Sequence, residues 1–203
     1  MKKIIFIFCI LFCVPSFAHD CLTYKIEPDI SLSEPEYKKT VNFSVENMPA
    51  HHGLVEANIT TKYDVVLNMY ETTNGFCVVL SKINAVFGFD NFNVLVDKQH
   101  ETNNCAYNAV LHHEEKHIEV YLNIIKDFKD DIKDSLFTAA DSVMPIFIEK
   151  ESDIELAFEE LNQEFMAHPD LLLIAQKVYA AQEIRNKQID REENNHELNS
   201  CYN

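Results

Sequence analysis

Five consecutive residues, His113-Glu114-Glu115-Lys116-His117, carry the densest chemistry in this 203-residue chain. Two imidazoles four positions apart on a helix project from the same face and can hold one Zn²⁺ between them. The glutamate beside the first histidine then stands where a general base takes a proton from a zinc-activated water. His113 and His117 are therefore the expected metal ligands, and Glu114 the expected base.

The helix that must carry them is readable. Ala106 to Asp127 contains neither Gly nor Pro, and its apolar residues recur at helical spacing. At about 100° per residue, Asn108, His112, Glu115, Lys116, Glu119, Asn123 and Lys126 share a solvated sector. The opposite sector holds Ala106, Val110, Ile118, Tyr121, Leu122 and Ile125, and His113, Glu114 and His117 fall within it. Ionisable groups on an apolar face are costly unless they are partnered, and a metal supplies a partner. His112 reads as a surface histidine, and Tyr121, one turn beyond His117, as a core tyrosine whose hydroxyl is within reach of an oxyanion.

A catalytic zinc takes three protein ligands and keeps one position open. The position six residues after His117, where one group of zinc enzymes has its third histidine, is Asn123. Glu155, Glu159, Glu160, Glu164, Glu183, Glu192 and Glu193 are later carboxylates that could serve. The stretch Gln188 to His196 gathers acids and a histidine at the end of the last helix, so His196 is the expected third ligand and Glu193 the next choice. Asp190 is expected to orient one of the motif histidines from behind.

Around the motif helix, Lys39 to Val45, Lys62 to Glu71, Cys77 to Phe87 and Asn91 to Asp97 read as strands. Thr72-Thr73-Asn74-Gly75 reads as a hairpin turn, of type I′ from its Asn-Gly pair. Gly88-Phe89-Asp90 reads as a second turn, and Pro49 to Gly53 as a loop with His51 and His52 on the surface. Beyond Cys105 the chain is helical. The motif helix is expected to run on toward Ala140. Ser152 to Ala167 forms an amphipathic helix with Ser152 and Glu155 as a capping box. A break at His168-Pro169-Asp170 precedes a last helix from Leu171 to about Arg191. The fold class is α+β: a mostly antiparallel sheet, the H-E-x-x-H helix, then C-terminal helices. An edge strand along the cleft could take substrate by strand addition; Asn91 to Asp97 and the Cys77 strand are candidates.

The ends and the charge narrow the setting. Met1-Lys2-Lys3, an apolar run from Ile4 to Val14, and small residues at Ser16 and Ala18 make residues 1–18 a secretory signal peptide. Residues 19–203 form one domain, strand-rich over 19–104 and helical over 105–203. No stable membrane insertion is expected after cleavage, because the run is too short to span. Loss of Lys2 and Lys3 takes the formal charge from −16 to −18, which disfavours nucleic acid as a partner. Cys21, Cys77, Cys105 and Cys201 remain, an even count that suits two disulfides in an exported chain. Cys77–Cys105 and Cys21–Cys201 are the expected pairs among three connectivities. Zinc ligation by these four is disfavoured, since no C-x-x-C pair occurs.

Tyr107-Asn108-Ala109-Val110-Leu111 running into the H-E-x-x-H after Cys105, with Ile189-Asp190 and Glu193 late in the chain, resembles the DUF922-like bacterial secreted zinc peptidases. The family's late Thr-x-His-Gly element has no clear counterpart. The resemblance implies a zincin-like fold, a periplasmic or secreted bacterial location, a Zn²⁺ cofactor and a peptide or protein substrate cleaved with Glu114 as base. The other reading is a non-catalytic exported envelope or partner-binding domain with a structural or vestigial metal site.

Overall fold

The computed structural model describes residues 21–44, 52–192 and 196–202, without the side chains of Glu192 and His196. The expected signal peptide, His51, Glu193 and the imidazole of His196 lie outside the described residues.

The chain folds as α+β, with most strands before the helices. Its frame is one long hairpin. β3 (Gly53–Glu71) and β4 (Phe76–Val96) pair antiparallel from end to end and turn at residues 72–75, where the Thr72 N–H donates to the Gly75 carbonyl at 2.8 Å. The expected hairpin is therefore present. Gly75 does not adopt the positive φ of a type I′ turn. A Cβ there would stand 2.3 Å from the Ile148 carbonyl oxygen, so its smallness serves a close approach instead.

β4 lies in the middle of the sheet. Along its other edge sit β5 (Ile146–Ile148), antiparallel, then β1 (Asp29–Ser33) and β2 (Lys38–Phe43), both parallel to it. The sheet is thus mixed, and β5 comes from within the helical half. Both candidates for a substrate-binding edge, Asn91 to Asp97 and the Cys77 strand, belong to β4 and are flanked on both sides. β3 forms one edge of the sheet and β5, β1 and β2 line the other; among the described residues each of these strands pairs with β4 alone.

The inward residues of β4 change phase twice. Val78 and Leu80 are buried, then Ile83, Ala85, Phe87 and Phe89, then Phe92, Val94 and Val96. Side chains alternate with period two, so each change of phase needs an extra residue. Register shifts opposite Val66/Leu67 and Ala57/Ile59 supply them, at Ser81 and at Asp90–Asn91. The turn expected at 88–90 is this second bulge inside one continuous strand. Gly88 adopts φ +157°, and a Cβ there would come within 2.7 Å of the Pro35 ring. Pro35 lies in the connection that carries the chain from β1 past this point to β2.

Among the described residues five helices follow: α1 (Asn104–Asp127), α2 (Lys129–Ser142), α3 (Ile154–Met166), α4 (Pro169–Glu192) and α5 (His196–Ser200). Asn103 caps α1, its side chain accepting the Ala106 N–H at 3.1 Å. α1 stops at Phe128 rather than running on to Ala140. The capping box at Ser152 is absent: α3 starts after Asp153 without a side-chain cap, and the Ser152 hydroxyl donates to the Asp153 carboxylate. The inward face of the sheet and the apolar faces of α1 to α4 make one core, centred on Phe87, Phe89, Phe92, Ile124, Leu136 and Leu161.

The disulfides are Cys21–Cys77 and Cys105–Cys201, with Cα atoms 5.4 and 5.6 Å apart. This overturns the expected pairing of Cys77 with Cys105. Cys77 begins β4 and Cys105 follows its end, and a strand of that length separates them by up to ~60 Å at ~3.3 Å per residue. Among the described residues, no helix is long and apolar enough to cross a membrane. Two disulfides suit an oxidising compartment.

Candidate metal centre

α1 lies on the sheet with Ala106, Val110, Ile118, Tyr121, Ile124 and Ile125 inward. The motif residues follow the helical wheel. Glu114 is 3 % exposed and His117 8 % exposed, whereas His112 is exposed and pairs with Glu197 at 3.1 Å. Glu115 reaches across to Lys39 of β2 at 2.6 Å. Tyr121 is a core residue, stacked edge-on against Phe89 and Phe92.

α4 runs antiparallel to α1 and meets it at four-residue intervals. Gln182 donates to the Tyr121 hydroxyl at 2.9 Å, and Asn186 Oδ1 lies 3.1 Å from His117 Nδ1. Asp190 Oδ1 lies 3.1 Å from His117 Nε2 and 3.4 Å from His113 Nε2. The two Nε2 atoms are themselves 3.1 Å apart. His113, His117 and Asp190 thus bring three potential ligand atoms into one small triangle.

The size of the triangle is informative. Ligand atoms ~2.0–2.1 Å from a tetrahedral zinc stand about 3.3 Å from one another, since the edge of a tetrahedron is about 1.6 times its centre-to-vertex distance. The three observed separations bracket that value. A neutral His117 that donates from Nδ1 to Asn186 presents its Nε2 lone pair to a second imidazole nitrogen and a carboxylate oxygen. Atoms at such separations are joined either by a proton on one of the rings or by a cation among them. The group could hold a metal ion, and the donor set of two imidazoles and one carboxylate fits several divalent metals. The Asp190 side chain is 52 % exposed, which leaves one side of the triangle open to solvent.

Glu114 projects from the neighbouring position toward β3. A Cβ on Gly53 would lie 2.4 Å from Glu114 Oε1 and 2.7 Å from Val110 Cγ1, so the start of β3 is glycine where the carboxyl passes. Burial pushes the Glu114 carboxyl up to about 7; His113 opposes this shift and Asp190 adds to it.

The structure directs His113 and His117 to one point, while the buried Glu114 carboxyl lies against Gly53 at the start of β3. Asp190, expected behind a histidine, offers its oxygen to the same point as both rings. The expected third ligand, His196, begins α5, and its imidazole is outside the described residues. Glu155, Glu159, Glu160 and Glu164 are exposed on α3, and Glu183 is exposed on α4, where it pairs with Lys187. Asn186 and Gln182 were not foreseen. Their signal is the spacing 182–186–190, which repeats the 113–117–121 spacing on α1. His52 is not a free surface residue: its Nδ1 lies 3.2 Å from Nε2 of the buried His100.

No protein-family model, no curated protein and no solved structure matches the chain.

Proposed function

We propose that this chain is an exported zinc-dependent peptidase, the activity implied by its resemblance to the DUF922-like secreted peptidases. The observation that carries the reading is the triangle of His113, His117 and Asp190 beside a buried glutamate. A bound Zn²⁺ would polarise the scissile carbonyl and acidify water, the chemistry that peptide hydrolysis needs. The protein's own groups do the rest. His113, His117 and Asp190 would hold the ion. Glu114, its carboxyl raised toward neutrality, takes a proton from the attacking water and delivers it to the leaving amine. The outer edge of β3 starts at Gly53, against the Glu114 carboxyl, and would offer main-chain hydrogen bonds to an extended peptide. Two disulfides support an exported setting.

The test is metal content followed by hydrolysis. Mature protein never exposed to chelator is expected to hold about one zinc per chain. Glu114→Gln should retain the metal and lose cleavage of a mixed peptide library. Absence of metal, or another metal at full occupancy, sinks the zinc reading. Zinc present with no cleavage by the native chain supports a non-catalytic exported domain instead.

A further inference from the structure

The geometry points to Asn186 as the positioning residue that sets the tautomer of His117, a role that rests on His117 being a metal ligand. The imidazole can place its single neutral-state proton on either nitrogen, and only Nε2 faces the triangle. A proton on Nε2 would abolish ligation by that atom. The partner of Nδ1 therefore sets how large a share of the rings is ready to bind.

That partner is the Asn186 side chain, 3.1 Å away through Oδ1. An amide could turn over and present its NH₂ instead, which would drive the ring into the wrong tautomer. In the structure the carbonyl oxygen is the end that faces the ring, so Asn186 accepts the Nδ1–H of His117. Asp190 Oδ1 stands 3.1 Å from Nε2 and would accept a proton there, so the Asn186 acceptor is the group that draws the proton to Nδ1 and leaves the lone pair on Nε2. Asn186 thus favours the ligating tautomer before any metal arrives.

The experiment reads the tautomer and the affinity separately. Imidazole ¹⁵N shifts of His117 in the metal-free protein, taken above the histidine titration range, are expected to show Nδ1–H as the dominant form. In Asn186→Ala that preference should be lost, and Zn²⁺ affinity measured against a chromophoric chelator should fall by about 10- to 100-fold. Asn186→Asp, which still accepts from Nδ1, should restore both. Asn186→Leu, close to asparagine in size but without an acceptor, should give the same loss and serves if Asn186→Ala does not fold. An unchanged tautomer, or zinc affinity within twofold of native in both Asn186→Ala and Asn186→Leu, would overturn the assignment. If native protein binds no zinc, the peptidase reading fails, while the tautomer measurement still decides the role of Asn186.

Discussion

The two halves of α4 are held in different ways. Its first half presses Leu171, Ile174 and Val178 into the core, the last two 2 % and 0 % exposed. From Ala181 to Arg191 no residue is buried, and the contacts with α1 are polar: Gln182 to Tyr121, Arg185 to Asp127, Asn186 to His117 and Asp190 to both motif histidines. Apolar burial is non-directional and anchors the helix. Hydrogen bonds and ligand atoms demand fixed geometry but contribute little net stability when half-exposed. The half that carries Asn186 and Asp190 is thus the less firmly held, and it gains most from being fixed downstream. α5 supplies that fixation: the Cys105–Cys201 bond and the Glu197–His112 pair tie it to α1, and Tyr202 just beyond it bonds His100 at 2.8 Å.

Ile174→Ala breaks the comparison most severely. It removes a buried side chain from the anchored half and should cost about 2–5 kcal/mol of stability. In chemical denaturation the midpoint should drop, while zinc affinity of the folded protein stays within about twofold of native, a shift well under 1.4 kcal/mol. A larger loss of affinity would mean that the two halves act as one unit.

Removing one disulfide at a time comes next. Each should cost about 2–4 kcal/mol. Replacing Cys105 and Cys201 by Ala should also lower zinc affinity by about tenfold or more, or 1.4 kcal/mol, because Asp190 lies upstream of the released anchor. Replacing Cys21 and Cys77, at the far end of β4, should leave affinity unchanged. Equal affinities in both double variants would refute the anchoring role.

The smallest effect concerns His100, which is 1 % exposed and faces His52, Asp97 and Tyr202. Burial and then His52 lower its pKa below the ordinary 6.5, with Asp97 opposing. Above pH ~6.5 the ring is neutral both folded and unfolded, so it makes no pH-dependent difference there. Below that pH the unfolded chain takes up the proton first, and stability is lost as pH falls toward the lowered folded value. His100→Gln should flatten this part of a stability–pH profile between pH 6.5 and 5, and an unchanged slope would show that His100 does not contribute.

What could be read without coordinates was local. The separation of His113, Glu114 and His117 from His112 and Glu115 follows from helical periodicity, because a helix repeats its geometry whatever packs against it. The hairpin at Thr72–Gly75 and the break at His168 are equally local, written in turn residues. The second phase change of β4 falls beside Gly88-Phe89-Asp90, which reads as a turn, because a lost alternation looks the same in a turn and in a bulge and only the partner strand distinguishes them; the first, at Ser81, lies inside a stretch that reads as one strand.

By itself, then, the sequence determined the α+β order, the motif helix with its buried face, and an even set of cysteines. The tertiary structure alone decided the pairing of those cysteines, the central place of β4, the position of β3 at one edge of the sheet, and the meeting of Asp190 and Asn186 with the motif histidines. The reason is physical. These features depend on the path of a long strand and on the register between α1 and α4, and both are set by core packing between segments far apart in the chain.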